Sequence, residues 1–247
     1  MAVALAYGWF EAGWLRTRVL DLPVDGLPPA LEGLRVAHLS DFHLGPPSRG
    51  EVAVRKATDW VRERSPDLVV VTGDLLSRPR GRPLLDEVLR GLNAFAVLGN
   101  HDVGVTRDPL SAPAELTGLP ATLLVDESTT LPLRGVQVQV AGAAPRPYGP
   151  WPEADSHARL NILLSHYPTL SVSGYHVVLA GHMHGGQIVV PYPGGKLRLA
   201  HLRSRLNEGV YHEGGVTLHV SPGLGTTLVP FRFFARPEVT ELVLRSA

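Results

Sequence analysis

The chain of 247 residues contains no cysteine. This absence excludes disulfide bonds, thiolate zinc sites and cysteine nucleophiles. Lysine occurs only at Lys56 and Lys196, and the 23 basic and 23 acidic residues give a formal net charge of zero. No overall positive field would therefore steer the protein to nucleic acid. Because a basic stripe with interleaved aromatic residues is also missing, we expect no nucleic-acid partner, and a nuclease is a disfavoured interpretation.

Two catalytic signatures are missing as well. There is no Gly-x-Ser-x-Gly elbow, which argues against a serine hydrolase. There is no Gly-x-x-x-x-Gly-Lys-Ser/Thr loop, which argues against a P-loop nucleotide hydrolase. The remaining composition, 44% hydrophobic and 19% charged, is that of an ordinary globular protein. A chain of this length suits one large domain with a buried core.

The first 15 residues (MAVALAYGWFEAGWL) are apolar and aromatic, but Glu11 interrupts them and they are too short to span a bilayer. A basic n-region and a small-residue cleavage site are both lacking. Three interpretations stay open: a helix docked on the domain, an interfacial anchor, or the tail of a longer membrane segment. We divide the chain into an N-terminal apolar segment, 1–30, and a main domain, 31–247.

Short apolar segments end repeatedly at polar motifs. Strands are predicted at 34–39, 68–72, 94–98, 160–164 and 177–180, and helices at 51–64 and 83–90. Side chains just beyond the carboxyl ends of strands line the crevice of α/β sheets. The layout predicts an α/β protein with two facing mixed β-sheets, a β-sandwich flanked by helices, and a site where strand ends meet.

The polar motifs have one order along the chain: 41–43 (DFH), 73–74 (GD), 99–102 (GNHD), 166 (H) and 181–186 (GHMHGG). They supply carboxylates, imidazoles and one carboxamide, which are donors for divalent metals. Each motif alone is common, and a lone Gly-Asp or Asn-His is more often a turn. Together, in this order and each at a predicted strand end, they predict a metal site.

Spacing supports the same interpretation. Asp41 and His43 are separated by one residue, so in an extended segment both side chains project to one side and can hold one ion. His182 and His184 repeat this spacing. Asp74 has two oxygens and suits a bridging position, while Asn100 offers a neutral oxygen to a site that must admit an anion.

The order of these motifs resembles the calcineurin-like metallophosphoesterases from about Leu34 to the C-terminus. The segments 182–187 (HMHGGQ), 223–226 (GLGT) and 230–232 (PFR) are similar to a bacterial branch of small, membrane-associated phosphodiesterases. Met183 and Tyr167 depart from that branch, which has threonine and often asparagine there. Ser77 stands where purple acid phosphatases have a metal-binding tyrosine, so we expect no iron-tyrosinate absorption band.

The resemblance implies a four-layer fold and a dinuclear site of Mn, Fe or Zn in which Asp74 bridges two divalent ions. One ion would be held by Asp41, His43 and His184, and the other by Asn100, His166 and His182. Two ions would neutralise the phosphate and lower the pKa of a bridging water, generating the hydroxide nucleophile. His101 would protonate the leaving oxygen or stabilise the phosphoryl oxygens, and Asp102 would orient His101.

We therefore predict a metal-dependent phosphodiesterase or pyrophosphatase. The branch suggests a lipid-linked or small-molecule substrate and peripheral membrane contact through the N-terminus, in the cytoplasm or at the inner membrane. The alternative is a metal-binding sensor or scaffold without turnover. His101 distinguishes the two, since a binding module would not need an imidazole kept apart from the metals.

Several other residues near the motifs are ambiguous. Four arginines could bind phosphate, although a solvated loop charge is the favoured interpretation: Arg49, Arg78, Arg80 and Arg82. Phe231, Phe233 and Phe234 fit the core better than a lipid-facing patch. His38 is expected to be buried and structural. Five histidines belong to no motif: His157, His176, His201, His212 and His219.

Overall fold

The computed structural model of the protein describes residues 2–200 and 204–247, so Met1 and His201 lie outside the described part. The helices are α1 (Ala2–Glu11), α2 (Gly50–Arg64) and α3 (Arg82–Leu89), with short 3₁₀ turns at Pro29–Leu31, Pro79–Gly81 and His184–Gly186. The strands are β1 (Arg16–Val24), β2 (Arg35–Leu39), β3 (Leu68–Thr72), β4 (Phe95–Val97), β5 (Thr122–Leu123), β6 (Glu127–Leu133), β7 (Val136–Gly142), β8 (Leu160–Ser165), β9 (Val177–Ala180), β10 (Val189–Tyr192), β11 (Gly195–Arg198), β12 (Gly209–Glu213), β13 (Val216–Val220) and β14 (Glu238–Ser246).

Two six-stranded mixed sheets form the framework. The first has the order β1-β14-β2-β3-β4-β5 and the second has the order β12-β13-β9-β8-β7-β6. Strands β2 to β5 run parallel to one another, as do β7, β8, β9 and β13. The antiparallel pairs are β14 with β2, β12 with β13, and β6 with β7. The predicted pair of mixed sheets in an α/β protein is confirmed.

The main core lies between the two sheets. One hydrophobic cluster contains Val70 and Leu242 from the first sheet together with Ile162 and Leu179 from the second. All five residues of β3 are buried. A parallel strand covered on both faces has this continuous apolar character, which is why its sequence predicts it so well.

Helices cover the outer face of the first sheet. α2 buries Ala53, Val54, Ala57 and Val61, spaced as one helical stripe, and its C-cap, Ser65, has a left-handed φ of 46°. α2, α3 and the first sheet share one hydrophobic cluster. This side of the fold has the predicted layers.

The outer face of the second sheet is covered differently. Within the described residues no helix lies over it, and the side chains packed on its hydrophobic cluster come mainly from loops, including Trp151, Leu170 and Val172. The connection between β7 and β8 contains four prolines within 143–152. Because proline lacks an N–H group and clashes with the preceding turn, this segment cannot form a regular helix. The fourth layer is therefore built from loops.

α1 packs on the segment just before β14. Glu11 is fully buried, and its carboxylate accepts hydrogen bonds from the backbone N–H groups of Phe234 (3.0 Å) and Ala235 (2.7 Å). Gly8 lies so close to the ring of Phe233 that a side chain would collide with it. Phe233 is half-buried, whereas Phe234 is 55% exposed. No helix in the described ranges is long and apolar enough to cross a bilayer, and the division of the chain at residue 30 stays a prediction.

Candidate metal centre

The predicted site residues lie just beyond strand ends. Asp41 follows β2, Asp74 follows β3, and Asn100 follows β4 in the first sheet; His166 follows β8 and His182 follows β9 in the second. The two sheets face each other, so these loops meet at one edge of the sandwich. Side chains separated by up to 141 positions come into contact there.

Three groups of metal-binding side chains result. In each group one ligand atom from every residue lies within 4.8 Å of the others: Asp41, His43 and His184; Asp74, His166 and His182; and His43, Asp74 and His101. Six of the seven predicted ligands are in these groups, and Asn100 contacts His166. Asp74 lies in the second and third groups, and His43 connects the third to the first.

The backbone at these residues is unusual. Five of the predicted ligands have left-handed φ angles between 46° and 72°: Asp41, His43, Asp74, His182 and His184. Such a conformation costs about 1–3 kcal/mol per residue and is concentrated at functional sites. At Gly73, where φ is 87°, a Cβ atom would lie 2.7 Å from the backbone nitrogen of Gly99 and 2.8 Å from Nδ1 of His166. Only glycine fits this position, and its absence of a side chain allows the two sheets to approach.

The first group is organised around His43 and His184. Their Nε2 atoms are 3.1 Å apart, and His184 Nε2 lies 3.6 Å from Oδ1 of Asp41. The other ring nitrogen of His43, Nδ1, lies 2.8 Å from the hydroxyl of Ser77. Ser77 therefore fixes the orientation of the His43 ring. In the sequence, Ser77 is notable only because it occupies the position of the metal-binding tyrosine of purple acid phosphatases.

The second group is organised around His166. Its Nε2 lies 3.0 Å from Oδ1 of Asn100, 3.1 Å from Nδ1 of His182 and 3.4 Å from Oδ2 of Asp74. Its Nδ1 donates to the backbone carbonyl of Thr72 at 2.9 Å. A carbonyl can only accept, so in the neutral ring Nε2 carries a lone pair directed at the cluster.

Asn100 is oriented in the same way. Its amide nitrogen donates to the carbonyl of Val105 at 3.0 Å. The amide oxygen therefore points towards His166 and the cluster. An oxygen donor in this position adds no negative charge.

The electrostatics favour a cation. Burial opposes ionisation of Asp74, but the imidazoles of His166 and His43 hold the pKa of its carboxyl below the usual range. Burial also opposes charge on His166, yet the Asp74 carboxylate outweighs it and raises the pKa of His166 to about 9. Burial raises the pKa of Asp41 to about 6 and lowers that of His43 to about 3. At neutral pH Asp74 is therefore an anion and His43 a neutral imidazole, two groups that can donate electron pairs to a cation. Nitrogen and oxygen donors without sulfur fit divalent metal ions.

His101 borders the cluster. Its ring is 7% exposed, and Nε2 lies 3.1 Å from the hydroxyl of Thr106 and 4.0 Å from Oδ2 of Asp74. Nδ1 lies 3.3 Å from the hydroxyl of Ser111. Burial lowers the pKa of His101 despite the nearby Asp74 carboxylate. A neutral imidazole in this position can donate one N–H hydrogen bond.

Asp102 does not make the predicted contact. Among the described residues no hydrogen bond joins it to the His101 ring; its oxygens accept from the backbone N–H groups of Gly99 (2.8 Å), Leu75 (2.9 Å) and Leu76 (3.1 Å). Burial raises the pKa of Asp102 to about 7. The physical reason is that the loops after β3 and β4 leave these N–H groups without backbone partners. Asp102 ties the two loops together.

Arg232 is a further residue at the site that the sequence did not single out. Its guanidinium is fully buried and lies 3.3 Å from Nδ1 of His184. It donates to the carbonyls of Gly225 (2.7 Å) and Pro222 (3.0 Å). The signal available in the sequence was its place in the segment 230–232, which supported only the resemblance.

The other ambiguous residues are also placed. Arg78 and Arg80 donate to the backbone carbonyls of Leu110 and Gly45, and Arg82 pairs with Asp86. Met183 packs in the outer cluster of the second sheet.

Arg49 lies elsewhere, with its guanidinium 5.9 Å from the centre of the Phe10 ring. Tyr167, the other departure from the bacterial branch, lies against His182 with ring centres 4.3 Å apart and ring planes inclined by 53°.

Comparison with known proteins identifies the family. The model of the calcineurin-like phosphoesterase family matches residues 34–186, more than half of the chain. The uncharacterized metallophosphoesterase YkuE of Bacillus subtilis is 30% identical, over 89% of this chain and 82% of that protein. The phosphodiesterase YaeI of Escherichia coli is 28% identical, over 96% of this chain and 89% of that protein.

A vertebrate protein is also similar. The transmembrane protein with metallophosphoesterase domain of Danio rerio is 28% identical over the whole of this chain, which spans 61% of that protein. Together with the ligand groups at the strand ends, the match to the family model shows that the chain belongs to the calcineurin-like phosphoesterases and is a hydrolase of phosphate esters.

Proposed function

We propose that the protein is a phosphodiesterase or pyrophosphatase that works with two divalent metal ions. The main support is the convergence of the seven predicted ligands. Oδ2 of Asp74 lies 3.3 Å from Nε2 of His43 in one half of the cluster and 3.4 Å from Nε2 of His166 in the other. Asp41, His43 and His184 would hold one ion, and Asn100, His166 and His182 the other, with Asp74 between them. When bound, the ions would neutralise the substrate phosphate and make a water acidic enough to act as nucleophile at neutral pH.

The residues around this cluster have separate tasks. Ser77 and the Thr72 carbonyl keep the rings of His43 and His166 in the orientation that directs Nε2 inwards. His101 would face the substrate and donate an N–H hydrogen bond to a phosphoryl oxygen or, in its protonated form, a proton to the leaving oxygen. Asp102 would act as a positioning residue, because it contacts the loop backbone and not the His101 ring.

The preference for a diester has one support outside the site. A relative that matches over most of both chains, YaeI, is named a phosphodiesterase. A lipid-linked diester or diphosphate is the substrate class that also accounts for the exposed apolar residues of α1, such as Val3 (84%) and Phe10 (48%). The same residues support the proposal of peripheral contact with the inner membrane. The proposed ions are manganese, iron or zinc.

The test is turnover by the full chain. Bis(p-nitrophenyl) phosphate and p-nitrophenyl phosphate are assayed after EDTA treatment and after return of Mn²⁺, Fe²⁺ or Zn²⁺. We expect EDTA to abolish and a metal to restore activity, with the diester preferred. Asp74→Asn should reduce kcat/KM by more than about 100-fold, since even residues that only orient metal ligands contribute about 10- to 100-fold.

A matched control is Asp59→Asn, whose side chain is 68% exposed on α2 and which should behave as wild type. Diester turnover that survives EDTA, or that Asp74→Asn leaves intact, would refute the proposed metal site. His101→Ala should lower turnover by about 10²- to 10⁴-fold if it is the acid. Unchanged turnover in His101→Ala would assign the proton to another group.

A further inference from the structure

An apolar cavity of about 270 Å³ adjoins the metal cluster. Its walls are formed by Ile188, Leu199, Leu228 and Val229, and His184 lines it as well. The cavity also contains Thr227, whose hydroxyl lies 3.4 Å from Nε2 of His101. The cavity is therefore lined by one predicted metal ligand and by a residue that contacts the predicted proton donor.

The cavity is held in shape by hydrogen bonds. The side chain of Gln187 donates to the carbonyls of Thr227 (2.8 Å) and Val229 (3.1 Å) and accepts from the N–H group of Thr227 (3.0 Å). Its polar atoms are thus used to join the two walls. The hydroxyl of Thr227 donates to Asp108 at 3.0 Å. The polar groups of the cavity are largely satisfied within the protein, and a sugar or nucleobase would find few partners.

Leu228 gives independent evidence that the cavity binds a ligand. It is 54% exposed and has a left-handed φ of 63°. Its N–H group is bound by the carboxylate of Asp108 at 2.9 Å, which holds the backbone in this conformation. An exposed leucine in a strained conformation beside a reaction site is stabilised by the surrounding structure, and such strain is characteristic of ligand-binding positions.

We propose that this cavity is a specificity subsite for a hydrocarbon chain on one ester oxygen of the substrate. The inference rests on the proposed phosphodiesterase function and names the substrate class. The phosphate would lie at the cluster, and the chain attached to it would enter between Leu199 and Leu228. Charged and strongly polar substituents are disfavoured, since the described residues that line the walls include no acidic side chain, lysine or arginine.

The experiment compares p-nitrophenyl phosphodiesters whose second ester group is methyl, butyl or octyl, below the concentration at which micelles form. The leaving group is constant, so the chemical step is constant too. Each buried methylene contributes about 0.8 kcal/mol, equivalent to about fourfold in rate constant. We expect kcat/KM of the Mn²⁺-loaded protein to rise at least about tenfold from methyl to butyl.

Two variants remove the preference. Leu228→Asn introduces a residue that tolerates a left-handed φ, and Leu199→Gln changes a side chain that is 50% exposed. Both should lose the increase with chain length, which is measured within each variant as the ratio of kcat/KM for the octyl ester to kcat/KM for the methyl ester. Leu197→Gln, on β11 two positions before Leu199 and 46% exposed but outside the cavity, is the matched control and should keep the increase.

A binding measurement separates failure of the subsite from failure of the function. The dissociation constants of methyl, butyl and octyl phosphate are measured by calorimetry on the Mn²⁺-loaded protein. Tighter binding of the longer chains, lost in Leu228→Asn, supports the subsite even if no ester is hydrolysed. Equal affinity for all three chains, or equal kcat/KM for all three esters, overturns it while leaving the phosphodiesterase proposal intact.

Discussion

Asp102 illustrates how one carboxylate can control several ligands that it does not touch. It joins the backbone after Asp74 to the backbone before Asn100 through Leu75, Leu76 and Gly99. Two predicted ligands, one from each loop, therefore depend on its position. Loss of these contacts would shift the loops rather than the His101 ring.

We predict that Asp102→Asn weakens metal binding. The amide group would place a donor against backbone donors, which costs about 1–3 kcal/mol in stability. Displacement of the two loops should lower the affinity for Mn²⁺ by about 10- to 100-fold. Calorimetric titration of the EDTA-stripped protein and urea unfolding measure the two effects.

Asp67→Asn is the control for this substitution. Asp67 also accepts a backbone N–H hydrogen bond, from Arg35 at 2.8 Å, but at the opposite end of β2 and β3. It should keep wild-type metal affinity. If Asp102→Asn reduced turnover with unchanged Mn²⁺ affinity, Asp102 would act on His101 after all.

At the scale of elements, Arg232 connects the loops that surround His184. Its guanidinium also donates to the carbonyls of His184 and Ala235 at 3.3 and 2.9 Å. Burial lowers the pKa of Arg232 to about 10, so the side chain remains charged at neutral pH. Its backbone N–H group donates to Gly8 of α1 at 3.1 Å. The N-terminal helix and the metal cluster are thus linked through one residue.

Arg232→Met should destabilise the protein by at least about 3 kcal/mol, because several buried carbonyls lose their donor at about 1–3 kcal/mol each. For a chain of this size that corresponds to a fall in Tm of about 6 °C or more. Differential scanning fluorimetry measures it. Arg245→Met, at an arginine whose side chain is 46% exposed, should leave Tm unchanged. A Tm for Arg232→Met equal to that of Arg245→Met would contradict the role.

The two sheets are also joined by a buried histidine pair. His38 of β2 and His219 of β13 are fully buried, with their Nδ1 atoms 2.8 Å apart. His38 Nε2 lies 2.9 Å from the hydroxyl of Thr72. Burial lowers the pKa of His38 well below its usual value and that of His219 to about 3. Both rings are therefore neutral in the folded protein at neutral pH.

This pair makes stability depend on pH. Between the pKa of about 6.5 in the unfolded chain and about 3 in the folded protein, only the unfolded state binds a proton at His219, so stability is lost as the pH falls below about 6.5. From pH 7 to pH 5 this residue should account for about 2 kcal/mol of lost stability. Urea unfolding of the EDTA-stripped protein measures the free energy of unfolding at pH 7 and at pH 5. The decrease between these pH values should be about 2 kcal/mol smaller in His219→Gln than in wild type. Parallel pH dependence in the two proteins would exclude the effect.

Elements differ in how far the sequence predicts them. β3 is predicted from its β-branched run because it is buried on both faces. β1 is not predicted: it lies at a sheet edge with three consecutive exposed residues, 17–19, and its pairing with β14 joins residues more than 200 positions apart. A local pattern contains no information about such a partner.

The same distinction applies to the site. Asp41, Asp74 and His166 are recognisable because each occupies a fixed motif beside a strand. Ser77 is not, since its role arises from contact with His43, 34 positions away. The role of the Thr72 carbonyl cannot be predicted from a pattern of side chains, because it is a backbone group. Sequence therefore predicts the donors, whereas the groups that orient them require the folded structure.

The whole molecule presents an apolar surface beside α1. Exposed side chains there include Leu5 (45%), Trp9 (37%) and Trp14 (45%), and Phe234 extends the surface, since its ring centre is 5.8 Å from that of Tyr7. Aromatic residues with a polar edge favour the membrane–water interface. The Arg236 guanidinium lies 4.0 Å from the Trp14 ring centre and places a positive charge beside this surface. This combination fits a bilayer surface better than bulk water.

We expect the protein to bind vesicles of phosphatidylglycerol and phosphatidylcholine through α1. Val3→Ser combined with Phe10→Ser removes two side chains that are 84% and 48% exposed, so the fold should tolerate the change. A fully buried apolar side chain contributes about 1.5–3 kcal/mol, and partial burial of two should weaken partitioning about tenfold or more. Cosedimentation over a range of lipid concentrations measures the partition coefficient. Tyr148→Ser, at an aromatic residue that is 81% exposed in the loop after β7, is the control and should partition as wild type. If the double variant bound vesicles as tightly as wild type, α1 would not be the contact surface. The proposal of a substrate in the membrane would then lack structural support, whereas the support for the metal site would be unaffected.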